Sequence, residues 1–130
     1  MRSYKVSQAA RLLGVSDDTV RRWIDQGVLP VTDASPVEIP GAALAEHAAS
    51  VASAAADPSD VLSSARNRFV GLVTRVQIEG VMAQVDIQAG PHRVVSLMTA
   101  ESARDLALEP GSLAVASIKA TTVVVETPKD

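Results

Sequence analysis

The chain has 130 residues, a net charge of −3 and no cysteine, which excludes disulfides and thiolate metal sites and leaves only hard ions as candidate ligands. With one Tyr, one Trp and one Phe, the core must be aliphatic, and two small domains with thin cores predict self-association. The acidic balance excludes a globally basic nucleic-acid surface, so any DNA contact must be local.

Met1 to Lys5 leads into a polar, periodic segment rather than an apolar leader, which predicts a cytoplasmic product. Ser7 is placed to cap a helix over Gln8 to Leu13, with Ala9, Leu12 and Leu13 on one face and Gly14 leaving it in left-handed geometry. Ser16 is placed to cap a second helix, in which Asp17 and Asp18 favour the positive end of the dipole and Val20, Trp23 and Ile24 form the apolar face. Gly27 ends it. Its other face carries Thr19, Arg21 and Arg22. With Ser16, these are the candidate DNA-contacting residues, able to reach phosphates or guanine edges from a major groove.

The ordered set Val6-Ser7-Gln8-Ala9-Ala10, Leu13-Gly14-Val15-Ser16, Thr19-Val20-Arg21-Arg22-Trp23-Ile24 and Gly27-Val28-Leu29-Pro30 resembles the excisionase-like and MerR-like winged helix-turn-helix family. The resemblance covers about the first 50 residues and implies a second helix that enters the major groove and a wing that grips the backbone. At the wing this sequence departs from the family. Asp33 to Glu38 offers two acids and no base, and through Ser50 there are five basic against six acidic residues. Weak binding per module, compensated by several copies, is the expectation.

Ala42 to Ala56 reads as an alanine-rich helix, too polar and too short to span a membrane, with Pro58 stopping it and Asp57 to Ser63 as a hinge. His47 has no partner at ligand spacing and reads as a surface residue.

From Phe69 the pattern changes to period two. Leu72, Thr74, Val76 and Ile78 are expected on one face, then Val81, Ala83, Val85 and Ile87 alternate with Met82, Gln84, Asp86 and Gln88. A third strand follows over Arg93 to Met98 and a short helix over Ala100 to Leu106. Strands over Leu113 to Ile118 and Thr122 to Glu126 complete five. His92 reads as a loop residue. The fold class expected is α+β in two domains: a winged helix-turn-helix over 1–56, a linker over 57–63, and a five-stranded OB-like β-barrel with one short helix over 64–127.

Ser64-Ala65-Arg66-Asn67-Arg68-Phe69-Val70-Gly71, Met98-Thr99-Ala100-Glu101-Ser102, Leu106-x-Leu108-x-x-Gly111 and Ile118-Lys119-Ala120 resemble the Mop (TOBE) domain of molbindins and molybdate-responsive regulators. The resemblance implies molybdate or tungstate bound at subunit interfaces, and dimers or hexamers. By the same resemblance, Ser64, Arg66, Lys119 and Ala120 come from one subunit and Thr99 and Ser102 from its neighbour. The residue chemistry agrees. Arg66 and Lys119 supply charge, Ser64, Thr99 and Ser102 supply hydroxyls, and Ala65 and Ala120 supply N–H groups with little obstruction. No nucleophilic cysteine, paired histidines or Gly-rich phosphate loop is present, so a non-enzyme is expected. Two functions fit: an oxyanion-responsive transcriptional regulator, or an intracellular oxyanion buffer whose helix-turn-helix serves assembly.

Overall fold

A computed structural model describes residues 2–129, which divide into two compact units at the Ser53–Ala54 boundary. The first unit begins with β1 (Ser3–Lys5), α1 (Val6–Leu13) and α2 (Asp17–Asp25), and ends with β2 (Glu38–Pro40) and α3 (Gly41–Val51). β1 and β2 pair antiparallel, Tyr4 opposite Ile39. Ala9, Ala10, Val20, Leu29, Ile39 and Leu44 form the buried core.

Gly14 closes α1 at φ +69, and the Ser16 hydroxyl caps α2 by accepting the Thr19 N–H at 3.1 Å. The expected cap at Ser7 is not used. α1 starts two residues earlier, because the Gln8 side chain accepts the Lys5 N–H at 2.9 Å where β1 runs directly into the helix. Leu12 is likewise exposed rather than core-facing; Ala9 and Ala10 turn that stripe instead. α3 ends at Val51, well before Pro58. Beyond it the Ala/Ser run buries no apolar face, and even the high helix propensity of alanine does not hold so short a helix without packing. His47 is no surface bystander either, for its ring meets Trp23 edge-on at 4.4 Å between centroids, with Nε2 buried.

The second unit contains β3 (Asn67–Glu79), β4 (Met82–Ala89), β5 (His92–Thr99), α4 (Ala100–Asp105) and β6 (Leu113–Ile118). The strands form one curled antiparallel sheet of four, in the order β5-β4-β3-β6. The expected fifth strand over Thr122 to Glu126 does not pair. A 3₁₀ turn over Ala120–Thr122, in which the Thr122 N–H and hydroxyl both donate to the Lys119 carbonyl, intervenes after β6.

The inward face of β3 also differs from the expected one. Val73 is buried and Leu72 is exposed, because a bulge at Thr74 lets Val73 face Ile87 and Arg75 face Asp86; beyond it Val76 packs on the core as expected, while Ile78 near the strand end is exposed. One extra residue in a period-two strand turns over everything on one side of it. β4 keeps its expected face, Ala83, Val85 and Ile87 being buried. Asp86 is buried as well, since the Gln84 amide at 3.1 Å and the Arg93 guanidinium at 2.7 Å cover its carboxylate. Those two partners, the amide first, hold its carboxyl below the usual range.

Candidate oxyanion site

β3 and β6 begin and end together. Asn67 pairs with Ile118 in the ladder, and its side-chain amide donates to the Ile118 carbonyl at 3.2 Å. Arg66 and Lys119 stand one residue beyond that pair on their respective strands, both exposed. Two cations are thus held at one corner of the sheet, with Ser64, Ala65 and Ala120 as chain neighbours. A dianion would relieve their mutual repulsion there, and the exposed position costs little desolvation when the site is empty.

The Ala65 N–H, assigned to the anion from sequence, donates to the Ser63 hydroxyl at 3.1 Å. It would have to leave that turn to reach a ligand. Close by, Arg68 reaches back into the linker, its Nε 2.6 Å from Asp57 and its Nη2 2.6 Å from the Ser59 hydroxyl. Arg68 first and Ser59 second hold the Asp57 carboxyl far below its usual range. This clasp was invisible in the sequence, where Asp57 to Ser63 looks like free hinge.

Thr99 and Ser102 lie elsewhere. Thr99 caps α4, accepting the Ser102 N–H at 3.1 Å and donating to the Ser102 hydroxyl at 2.8 Å, which leaves the Ser102 proton to point outward. They occupy the opposite end of the sheet. Met82 pairs with both Glu79 and Thr99, whereas Asn67, at the other end of the 13-residue β3, pairs with Ile118. A strand of that length runs roughly 40 Å along its axis. One copy therefore places Arg66 and Lys119 beside the same strand pair, at the opposite end of the sheet from Thr99 and Ser102. Arg104, which sequence reading passed over, lines a depression of about 260 Å³ with Thr99 and Glu101. Its only signal in the sequence was its place on the short helix behind the Thr99 cap.

In the first unit, Ser16 and Thr19 bind each other, hydroxyl to hydroxyl at 2.9 Å, and Arg21 sits 3.6 Å from Asp18. Arg21 and Arg22 are both exposed on α2. After α2, Thr32 closes the loop to Glu38: its N–H donates to the Glu38 carbonyl at 2.8 Å and its hydroxyl accepts the Glu38 N–H at 3.3 Å. That acidic loop stands where the resemblance placed a wing.

Residues 63–125 match the TOBE domain family. A molybdate binding protein from Sporomusa ovata is 30% identical, the match covering 52% of this chain and 100% of that one with a TM-score of 0.50. The chain belongs to the TOBE-domain family. Its TOBE domain is preceded by a match to the helix-turn-helix domain family over residues 3–50. The cytoplasmic molybdate-binding protein ModG, solved with molybdate bound, is 34% identical over 55% of this chain and 52% of that chain, with a TM-score of 0.52. The molybdenum transport protein ModE of Herbaspirillum seropedicae is 39% identical over 66 residues, half of this chain. That match spans only 24% of ModE. Among the described residues no helix of this TOBE protein is long and apolar enough to cross a membrane, and no cluster of His, Cys, Asp and Glu could hold a metal ion.

Proposed function

We propose that the protein binds molybdate or tungstate as a ligand, at sites shared between copies of its C-terminal domain, and acts in the cytoplasm as an oxyanion-responsive transcriptional regulator. The observation that carries this reading is the split site. Arg66 and Lys119 are gathered at one end of the sheet and Thr99 and Ser102 at the other, so the full donor set forms only when two or more copies meet. Similarity to ModG with molybdate bound supports the choice of ligand. Cations, hydroxyls and N–H groups without thiolates suit a tetrahedral dianion, and no step of catalysis is required of them.

The regulatory half of the reading rests on the helix-turn-helix, with Ser16, Thr19, Arg21 and Arg22 on the α2 side that would face DNA. Ligand-driven assembly, as a dimer or hexamer, sets how many such helices act together. Affinity for DNA then changes through valency rather than through any single contact. A second reading, an intracellular oxyanion buffer, is favoured by the acidic Asp33 to Glu38 loop and by the Arg21–Asp18 pairing, both of which weaken a phosphate grip.

Calorimetry with molybdate on the full chain tests the ligand: Arg66→Ala and Lys119→Ala should each remove the binding heat while leaving the circular dichroism spectrum in place. Unchanged affinity in both variants would reject this residue assignment. Gel retardation of the protein's own upstream DNA, with and without molybdate, separates the two functions. No retardation at any salt concentration leaves the buffer.

A further inference from the structure

The segment between the two family matches is tied to the sheet by a ring of three side chains. Asp57 and Ser59 flank Pro58, whose fixed φ sets a turn. Asp57 Oδ1 accepts the Ser59 N–H at 2.9 Å and the Ser59 hydroxyl at 2.6 Å. Arg68 of β3 closes the ring, its Nε donating to Asp57 Oδ2 and its Nη2 to the Ser59 oxygen, each at 2.6 Å. Their side chains, 26% exposed for Arg68 and 33% for Asp57, are better shielded than those of a free surface pair. On either side of the ring the segment is unpacked: Val61 and Leu62 are exposed, and residues 52–56 lie outside any helix or strand.

Acid is not what opens this ring. Arg68 first and Ser59 second hold the Asp57 carboxyl far below its usual range, so it stays ionised through ordinary working pH. A competing anion can open it. Arg68 stands opposite Ser117 in the ladder of β3 and β6. Arg66 lies two residues before Arg68, and Lys119 two residues after Ser117, the spacing at which an extended chain returns to the same face. Two residues of strand span about 7 Å, within the screening length of about 8 Å at physiological salt. A dianion held by Arg66 and Lys119 attracts Arg68 and repels the Asp57 carboxylate, and both forces pull the ring apart.

We infer that the Asp57-Pro58-Ser59 turn is an anion-sensitive latch on the linker: with the corner empty it ties the linker to β3 through Arg68, and an oxyanion at Arg66 and Lys119 draws Arg68 away and frees it. Opening lengthens the untethered stretch from residues 52–56 to residues 52–66, and so the reach of whatever the linker carries. The trigger rests on the oxyanion-site reading above; the latch itself does not. Linkage is reciprocal, so a chain whose latch is already open binds the anion more tightly.

The absence of cysteine allows a nitroxide to be placed on the full chain at Ala55→Cys, next to the turn, and its mobility read by electron paramagnetic resonance. Without molybdate the label should be slow in the parent and fast in Asp57→Asn, which keeps the turn but turns an amide toward Arg68, and in Ser59→Ala. Molybdate should convert the parent to the fast spectrum and leave Arg66→Ala slow. By calorimetry Asp57→Asn should bind molybdate about fivefold tighter, whereas Asp60→Asn, which removes the same charge outside the ring, should not. Equal mobility in parent and Asp57→Asn overturns the latch. Binding heat in the parent with no change in its label overturns the trigger, as does an equal gain in Asp60→Asn. If molybdate gives the parent no heat, the ligand reading falls and takes the trigger with it, and the latch is decided by the unliganded spectra.

Discussion

Gly71→Ala tests what lets β3 and β4 approach closely where the sheet curls. A Cβ on Gly71 would lie 2.3 Å from the Gln88 carbonyl oxygen and 3.0 Å from the Ala89 Cα, all backbone, with no flexible side chain to yield. β3 and β4 would have to part by about 1 Å to restore ordinary contact. That movement strains the Leu72–Gln88 and Val73–Ile87 pairs. Overpacking costs about 1–3 kcal/mol, and weakening a ladder hydrogen bond or two adds about 1 kcal/mol each. A total of ~3–4 kcal/mol corresponds to a fall of ~15 °C or more for a domain of this size. Gly90→Ala is the control. Its φ is +58 but nothing lies within 4 Å of the added carbon, so it should cost only the left-handed penalty of about 1–2 kcal/mol. Thermal unfolding of the sheet by far-ultraviolet circular dichroism reads both variants. Trp23, the single tryptophan, reports the other domain independently and should not shift. If Gly71→Ala melts no lower than Gly90→Ala, the close approach is not what limits the curl.

Ser16→Ala removes the α2 cap and should destabilise the helix-turn-helix by about 1 kcal/mol, seen as an earlier transition in Trp23 fluorescence, with the sheet's melting unchanged. Arg22→Ala should weaken DNA retention uniformly across sequences and reduce the magnitude of the salt slope by about 1 if it holds a phosphate; an unaltered slope would assign it to solvent. Because the Asp86 carboxyl is depressed by Gln84 and Arg93, its contribution to stability is present above its ordinary value and lost as pH falls through the folded one. Denaturant midpoints of the sheet at pH 7 and pH 3 should therefore drop more in the parent than in Asp86→Asn, and equal drops would place the acid sensitivity elsewhere.

What was legible in the sequence were the features carried by local chemistry. Gly14 and the Ser16 cap act within one turn, so residue type and order suffice to find them. The alternation of β4 was legible because its pleat is uninterrupted. The inward face of β3 before Thr74 was not, since the Thr74 bulge is set by pairing with β4 and leaves no mark in β3 itself. Likewise the Arg68–Asp57 clasp and the Trp23–His47 contact join residues whose approach depends on the fold. For the candidate site, residue types pointed to an anion, but their division between opposite ends of one sheet emerged only from the strand register. The run Thr122 to Glu126 has the composition of a strand. Whether such a run finds an edge depends on what lies beside it, which composition does not record.

The Thr74 bulge bears on how the gene can tolerate change in length. Before it, β3 is bonded to β6 through Asn67–Leu72; beyond it, from Arg75 onward, β3 is bonded only to β4. One long strand thus behaves as two half-strands in different phases, spliced at a single residue. Losing or gaining a codon there would rotate one half against the other, bringing Val73 out to water and dismantling two ladders at once. A codon added among Ala52 to Ala56, which are exposed and lie outside any helix or strand, would pass almost unnoticed.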